Sequence, residues 1–118
     1  MNKPFEIKSS GERKVFSTGM QRDIDETKID YTLLRDGPMY ERWAIHLNNG
    51  AKKYEPRNWM KAKTRAEYER FISSAARHFE QYLCGDRDED HAAAVIFNLN
   101  GAEYVRDRME RRKNGRSS

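Results

Sequence analysis

The sequence predicts an all-α fold: a hairpin-type bundle of three helices with a poorly structured N-terminal segment. Apolar residues recur at helical spacing in three segments between residues 36 and 105. A capping box opens the second segment and a glycine follows it, which are the usual helix start and stop signals. Residues 1–20 are polar with only short apolar fragments. We expect one domain over 1–118, comprising this N-terminal segment, a helical core over 36–105 and a basic tail over 106–118.

Composition excludes several classes of protein. No apolar run approaches the roughly 20 residues that a membrane helix needs, and no hydrophobic block follows the N-terminal charges, so we expect no signal peptide. The single cysteine, Cys84, cannot form an internal disulfide. These features predict a cytoplasmic protein that does not bind a membrane.

The net charge of +4 is located in the tail. Residues 106–118 contain six Lys or Arg and two acids, and the rest of the chain is neutral. A solvated, fraying helix end is the more common meaning of such a tail. Nucleic-acid binding is therefore expected only through the tail, if at all.

The first helix is predicted to begin after Asp36-Gly37-Pro38, because Asp36 can cap its N-terminus and proline suits the first helical turn. Met39, Trp43 and Leu47 then fall near one face. Pro56 ends the helix near Tyr54 or Glu55. The loop that follows carries Asn58 and Trp59, and a loop tryptophan folds back over a core at least as often as it contacts a ligand.

The second helix begins at Thr64, which forms a capping box with Glu67. Gly85 is its predicted stop. The predicted buried stripe consists of Ile72, Ala76, Phe79 and Leu83.

The third helix is predicted from about Asp88, which can cap it, to beyond Tyr104, with a fraying charged end. Residues 92–97 and Leu99 are apolar around nearly the whole circumference, and such a helix is buried. Three helices leave little to cover it, so we predict that a second copy of the chain completes the bundle as a homo-oligomer.

His91 and Asn98 lie seven residues apart and share one face of this third helix. Buried, they need partners, and they either brace the core or line a polar pocket. The hairpin brings His78 towards His91, and the acidic turn is close by. With Asp90, these side chains can hold a divalent cation or position a water molecule. From residue types alone, two histidines bonded to backbone are the more common arrangement.

Other common sites are missing from the sequence. One cysteine and scattered histidines give no zinc spacing. There is no glycine-rich phosphate loop, and no serine or cysteine nucleophile has a base at a telling spacing. The remaining candidates for a binding site are basic side chains. Lys52 and Lys53 end the first helix, and Arg22 and Lys28 precede it. Each is alone more often a surface charge, but basic side chains near a carboxylate–metal site suit a polyphosphate.

Several of these residues together resemble a mostly phage-encoded family, named for the N-terminal region of dATP/dGTP diphosphohydrolases. The resemblance covers about residues 19–105, and Gly50-Ala51-Lys52-Lys53-Tyr54 followed by Asn58-Trp59 is its most specific part. That family is associated with the MazG-like all-α nucleotide pyrophosphohydrolases. It implies cleavage of a purine deoxynucleoside triphosphate to the monophosphate and pyrophosphate with Mg²⁺ or Mn²⁺, in the cytoplasm of an infected bacterium.

The resemblance also implies functional residues. Further matches are Arg22-Asp23, Lys28, Arg77-His78 and the helix start from Asp90 to Asn98. The implied catalytic residues are His78, Asp90, His91 and Asn98, and the implied metal ligands are Asp86, Asp90 and His91. The implied nucleotide contacts are Arg22, Lys28, Lys52, Lys53, Tyr54, Asn58, Trp59 and Arg77.

One departure from the family pattern leaves alternatives open. MazG-like enzymes carry two acidic pairs, each at a spacing of three, on facing helices. Here Asp86 and Glu89 have that spacing at a turn, and Asp107 and Glu110 have it in the tail. The leading interpretation is therefore a metal-dependent pyrophosphohydrolase. The alternatives are an inactive protein that binds or sequesters a nucleotide, and a helical adaptor that binds nucleic acid or protein through its basic tail.

Overall fold

The computed structural model describes residues 12–23 and 28–115. They belong to two compact units that divide between Leu33 and Leu34. The second unit holds three α-helices, so the predicted all-α class is confirmed. Among the described helices, none combines the length and hydropathy that a membrane span requires.

The first unit contains a small antiparallel hairpin. Strand β1 spans Arg13–Val15 and strand β2 spans Gln21–Asp23, with Lys14 opposite Arg22. The connecting turn includes Gly19 at a φ of 91°, a conformation that glycine adopts without strain. Residues 12–20 of the predicted polar segment thus form part of a hairpin, and residues 1–11 lie outside the described residues.

Helix α1 spans Met39–Lys53. Pro38 precedes its first residue and Tyr54 follows its last, which confirms the predicted start and end. No side chain caps its N-terminus, so Asp36 does not have the capping role suggested for it. Two short 3-10 helices flank α1, at Tyr31–Arg35 and Asn58–Lys61.

Helix α2 spans Arg65–Leu83 and has the predicted ends. The Thr64 hydroxyl accepts a bond from the Glu67 amide at 3.2 Å, and the Glu67 carboxylate accepts one from the Thr64 amide at 3.0 Å. This reciprocal pair satisfies two amides that a helix start otherwise leaves without partners. Gly85, at a φ of 80°, turns the chain away after Leu83.

The predicted buried stripe of α2 was wrong. Ile72, Phe79 and Leu83 are 40%, 48% and 61% exposed. We call this face the exposed α2 stripe. The buried residues of α2 are Ser74 and Ala75, which lie about a third of a turn away. These small side chains allow close helix approach, and burial therefore followed the shape of the contact rather than the hydrophobicity of the residues.

Helix α3 spans His91–Asn114 and provides most of the core. Its buried positions include Ala93, Ala94, Ala102 and Val105. Helices α1 and α2 and the 3-10 helix Asn58–Lys61 pack on it. Its opposite side is open, since Leu99 is 48% exposed, so α3 is not buried all round. One chain leaves this face open, and the predicted homo-oligomer stays a prediction.

The charged end of α3 differs from the expectation of fraying. The helix begins one residue after Asp90, rather than near Asp88, and continues through much of the basic tail. Ion pairs one helical turn apart, such as Arg111 with Asp107 at 2.9 Å, run along this part of the helix. Alternating charges therefore extend α3 beyond its apolar segment.

Candidate functional site

The turn between α2 and α3 places the polar residues of the two helices together. Gly85 reverses the chain, and the amides of Gly85 and Asp86 bond to the Tyr82 and Gln81 carbonyls at 3.1 and 3.0 Å. These bonds satisfy carbonyls at the end of α2. The reversal brings the first residue of α3, His91, beside the last part of α2.

Asp88, His91 and His78 form a continuous chain of hydrogen bonds. The Asp88 Oδ1 lies 2.7 Å from the His91 Nε2, and the His91 Nδ1 lies 2.9 Å from the His78 Nδ1. The expected approach of the two imidazoles is therefore present, and the rings bond directly rather than across a cleft. His91 is 2% exposed, whereas His78 is half-buried.

The chain has a preferred direction of donation. A carboxylate only accepts, so a neutral His91 carries its proton on Nε2 and donates it to Asp88. Its Nδ1 is then an acceptor, and the His78 Nδ1 donates to it. This arrangement leaves the His78 Nε2 with a lone pair that can accept a hydrogen bond from a water molecule.

Burial and hydrogen bonding shift the pKa values at both ends of this chain. Desolvation lowers the pKa of His78 and favours its neutral form, against the weaker effect of Glu89. The hydrogen bond from His91 lowers the pKa of Asp88 and favours its carboxylate. Both shifts support the direction of donation described above.

Asp86, Asp88 and His91 form a group that can hold a metal ion. One ligand atom from each lies within 4.8 Å of the others. Asp86 and Asp88 are exposed, so a hydrated cation can reach them. Two carboxylate oxygens and one imidazole nitrogen suit Mn²⁺ well, and also Mg²⁺ if water molecules complete its shell. The residues present therefore fit the divalent cation that the resemblance implies, once the His91 proton shifts from Nε2 to Nδ1 and the cation replaces the hydrogen bond between His91 and Asp88.

The metal-capable group opens onto a surface groove. The charged residues lining it include two arginines, Arg42 from α1 and Arg87 from the turn. The other lining residues are Tyr82, Asp86, Asp88, Glu89, Asp90, His91 and Ala92. A phosphate-containing ligand in this groove would therefore meet both carboxylates and guanidinium groups.

Asp90 has a different environment from the one expected of a metal ligand. Its two oxygens accept bonds from the Arg42 Nη2 and Nε at 2.6 and 2.8 Å, and Oδ1 also accepts from the Ala93 amide at 3.1 Å. The bond from Arg42 lowers the pKa of Asp90 to about 2. Asp90 therefore caps α3 and holds Arg42, and it lies outside the group formed by Asp86, Asp88 and His91.

Asn98 is buried, as predicted, but its amide is satisfied within its own helix. The Asn98 Nδ2 donates to the Ala94 carbonyl at 2.8 Å. This bond accounts for the burial of the amide group. Its predicted catalytic role stays a prediction.

The predicted nucleotide contacts do not line the groove. Lys52 and Lys53 are exposed at the end of α1, about 15 Å along the helix from Arg42 at 1.5 Å per residue. Tyr54 is exposed beside Lys53, and Arg77 is exposed on α2. Arg22 and Lys28 belong to the first unit.

Trp59 and Asn58 lie in the 3-10 helix Asn58–Lys61. The Trp59 ring is half-buried and packs edge-on against Phe97 and Tyr104, with centroid distances of 6.3 and 5.2 Å. Trp59 therefore folds back over the core, which is the structural alternative to a ligand contact.

Sequence reasoning missed several residues of the groove, among them Asp88 and Arg42. Asp88 was considered only as a helix cap, although its spacing of three from His91 signals that the side chains can meet. Arg42 gave no local signal, because its partner Asp90 is 48 residues away. Only the docking of α1 against the start of α3 brings them together.

Comparison with known proteins identifies the family. A family model described as dATP/dGTP diphosphohydrolase, N-terminal, matches residues 18–113. No curated protein and no solved structure matched the chain. Because the family match extends over well more than half of the sequence, the protein belongs to the family of dATP/dGTP diphosphohydrolase N-terminal domains.

Proposed function

We propose that the protein is a divalent-cation-dependent diphosphohydrolase that cleaves a purine deoxynucleoside triphosphate to the monophosphate and pyrophosphate. The observation that carries this proposal is the group formed by Asp86, Asp88 and His91 at the mouth of a groove. Family membership supports the substrate class. The resemblance to MazG-like enzymes supports the cleavage position and Mg²⁺ or Mn²⁺ as cofactor.

The reaction adds water across the bond between the α-phosphorus and its bridging oxygen. The water oxygen bonds to the α-phosphorus, the bridging bond breaks, and pyrophosphate leaves. A divalent cation neutralises phosphate charge and stabilises the charge that develops as this bond breaks. Asp86, Asp88 and His91 would hold that cation, so that it meets the triphosphate at the groove.

His78 has the complementary role of orienting water. With the cation on His91 Nε2, the His91 proton lies on Nδ1 and is donated to the His78 Nδ1, which fixes the ring, so the His78 Nε2 carries a proton and can donate it to a water molecule. A water molecule bonded to that nitrogen would be directed by a side chain that cannot rotate freely. Orientation of this kind lowers the entropic part of the barrier.

The direct test is product analysis with the full chain. Each of the four deoxynucleoside triphosphates is incubated with Mg²⁺ or Mn²⁺, and monophosphate and pyrophosphate are quantified by ion-exchange chromatography. We expect both products in equal amounts from dATP or dGTP, and none after chelation of the metal. Absence of pyrophosphate with all four substrates and both metals would refute hydrolysis.

Matched variants test the site itself. Asp86→Asn and Asp88→Asn should each lower kcat/KM by about 100-fold, the order of effect seen when a metal-site group is altered. Glu80→Gln changes an exposed acid of α2 that does not line the groove, and it should leave kcat/KM unchanged. Equal losses in all three variants would show that the effect is general and not due to the metal site.

The alternative of an inactive protein that binds a nucleotide is tested by measuring Tm with each nucleotide. A nucleotide that binds only the folded state raises Tm, and the rise is larger for tighter binding. A rise in Tm with dATP or dGTP, without product release, would replace hydrolysis by nucleotide binding or sequestration.

The adaptor alternative could be tested by deleting the basic tail, but a substitution within the tail is the cleaner variant. Arg108 donates to the Met60 and Ala62 carbonyls at 2.9 and 3.1 Å, so removing residues 106–118 would also detach a core contact. Replacing Arg111 and Arg112 with glutamine lowers the tail charge and leaves Arg108 in place. Loss of nucleic-acid or protein binding in that double variant would favour the adaptor.

A further inference from the structure

Arg42 is the best-oriented cation of the groove. Its Nε and Nη2 form a bidentate pair with the two oxygens of Asp90, at 2.8 and 2.6 Å. Such a paired contact fixes the plane of the guanidinium as well as its position. Asp90 is itself fixed because it accepts the Ala93 amide at the start of α3. The guanidinium is thus held between α1 and α3 instead of moving freely on the surface.

The pair with Asp90 leaves part of the Arg42 donor capacity unused. A guanidinium has five N–H groups, and Asp90 accepts from two nitrogens. Within the described ranges, the side chain that accepts hydrogen bonds from the Arg42 guanidinium is that of Asp90. The Arg42 side chain is 38% exposed and lines the same groove as Asp86, Asp88 and His91. The outer donors can therefore reach a ligand without breaking the pair.

The charges of the groove define which ligand can bind. Arg42 and Arg87 face four carboxylates along the lining, so the groove has a net negative charge when His91 is neutral. A polyphosphate alone would be repelled, whereas a polyphosphate with a divalent cation would be accepted. The carboxylates of Asp86 and Asp88 would meet the cation, and the fixed guanidinium of Arg42 in the same groove would meet phosphate oxygens.

We propose that Arg42 is a phosphate-binding residue, oriented by Asp90, which grips the polyphosphate beside the cation held by Asp86, Asp88 and His91. This inference rests on the proposed function. It moves the phosphate contact from Lys52 and Lys53 to the N-terminal part of α1. A planar fork matches two phosphate oxygens better than the point charge of a lysine does.

The experiment compares variants of the full chain in the presence of Mn²⁺. Arg42→Gln removes the charge and Arg42→Lys keeps it without the fork. Asp90→Asn retains a capping oxygen for Ala93 and removes the charge that orients Arg42. Arg65→Gln is the matched control, because Arg65 is an exposed arginine paired with Glu69 on α2.

The expected result is a loss of phosphate affinity with retained metal affinity. Isothermal titration with inorganic pyrophosphate should show binding weakened about 10- to 100-fold in Arg42→Gln, as for a hydrogen bond to a charged group. Arg42→Lys and Asp90→Asn should lose less, and Arg65→Gln nothing. KM for the triphosphate should rise with pyrophosphate Kd, while Mn²⁺ affinity, read from electron paramagnetic resonance, should not change.

Further titrations distinguish which phosphates Arg42 contacts. A non-hydrolysable triphosphate analogue and the product monophosphate are titrated into the same variants. Weakened binding of the analogue and of pyrophosphate, with unchanged monophosphate binding, would place Arg42 on the leaving pyrophosphate. Weakened monophosphate binding would place it on the α-phosphate instead, and both results support phosphate contact.

Other outcomes would overturn the proposal. If Arg42→Gln lowers Tm but changes pyrophosphate affinity and KM by less than about twofold, Arg42 only clamps α1 to α3, and the proposed hydrolysis stands. If Arg42→Gln loses Mn²⁺ affinity as well, it acts through the metal group. If the wild-type chain binds neither Mn²⁺ nor pyrophosphate, this inference and the proposed function fall together. Should Arg42→Gln fail to fold, Arg42→Lys supplies the same comparisons.

Discussion

The two ends of the α2–α3 pair are held by different forces. At one end, the Phe71 ring occupies the space left by Gly101, where a built Cβ would lie 2.5 Å from it, and Trp59 packs beside them on Phe97. We call this the aromatic end. At the other, which we call the polar end, His78 and His91 bond directly across the two helices.

This difference indicates that the aromatic end of the helix pair contributes mainly to stability and the polar end mainly to chemistry. Contacts at the aromatic end depend on volume, so substitutions there change packing and cavity terms. Contacts at the polar end depend on the direction of donors and acceptors, and two of the acids there are exposed. We therefore expect changes at the aromatic end to affect mainly unfolding, and changes at the polar end to affect mainly ligand binding and turnover.

Gly101→Val should have the largest effect on stability. Its side chain would enter the space of the Phe71 ring, which packs against Phe97 and has little room to move. We expect the free energy of unfolding to fall by about 3 kcal/mol, at the upper end of the usual cost of overpacking. Urea unfolding followed by circular dichroism measures the change.

Gly50→Ala is the control for that substitution. Gly50 also lies inside a helix, but nothing is within 4 Å of an added Cβ. Alanine should therefore raise the free energy of unfolding by about 0.5–1 kcal/mol through helix propensity. A loss of stability in Gly50→Ala comparable to that of Gly101→Val would break the proposed contrast, because close approach would not be the cause.

Arg108→Ala should have an intermediate effect. Its guanidinium donates to the Met60 and Ala62 carbonyls and lies 5.7 Å from the Tyr104 ring centroid. Its loss detaches the 3-10 helix that carries Trp59 from α3. We expect the free energy of unfolding to fall by about 2 kcal/mol, from hydrogen bonds made by a charged donor.

Arg106→Ala provides the comparison for Arg108→Ala. Arg106 forms exposed ion pairs with Glu103 and Glu110, at 3.8 and 3.5 Å. Such pairs contribute roughly 0–1 kcal/mol. Thermal unfolding should therefore show a clear shift for Arg108→Ala and little for Arg106→Ala, and equal shifts would argue against anchoring by Arg108.

Asp90→Asn should have the smallest effect on stability, and that effect depends on pH. Arg42 holds the folded pKa of Asp90 at about 2, below the ordinary value of 3.8. Ionised Asp90 therefore stabilises the fold above about pH 3.8, and this contribution is lost as the pH falls through about 2. At pH 7 we expect a loss of about 1 kcal/mol, allowing for solvent screening of a partly exposed pair.

Unfolding curves at several pH values test that dependence. The difference between wild type and Asp90→Asn should be present at pH 7 and vanish near pH 2. A difference that stays constant over this range would mean that the negative charge of Asp90 is not its cause. That result would remove the electrostatic part of the contrast between the two ends.

Part of the polar end could be predicted from the sequence because it is local. His91 and Asp88 are three residues apart. His78 approaches them through a turn that Gly85 and the acidic residues predict. The proximity of the two rings follows from that hairpin, whereas the direct bond between them was not predicted. The roles given to Lys52 and Lys53 had no such local basis, and these residues lie one helix length away from the groove.

The sequence by itself determined where α1 and α2 begin and end. Thr64 with Glu67, Gly85 and the prolines act on backbone groups within a few residues, so their effect does not depend on the rest of the fold. Only the tertiary structure decided which side of α2 is buried and which cation faces the groove. Those outcomes depend on how closely two helices can approach, as at Gly101, and on pairings such as Arg42 with Asp90 across 48 residues. No local pattern encodes a contact of that kind, because its free energy exists only after the helices have docked.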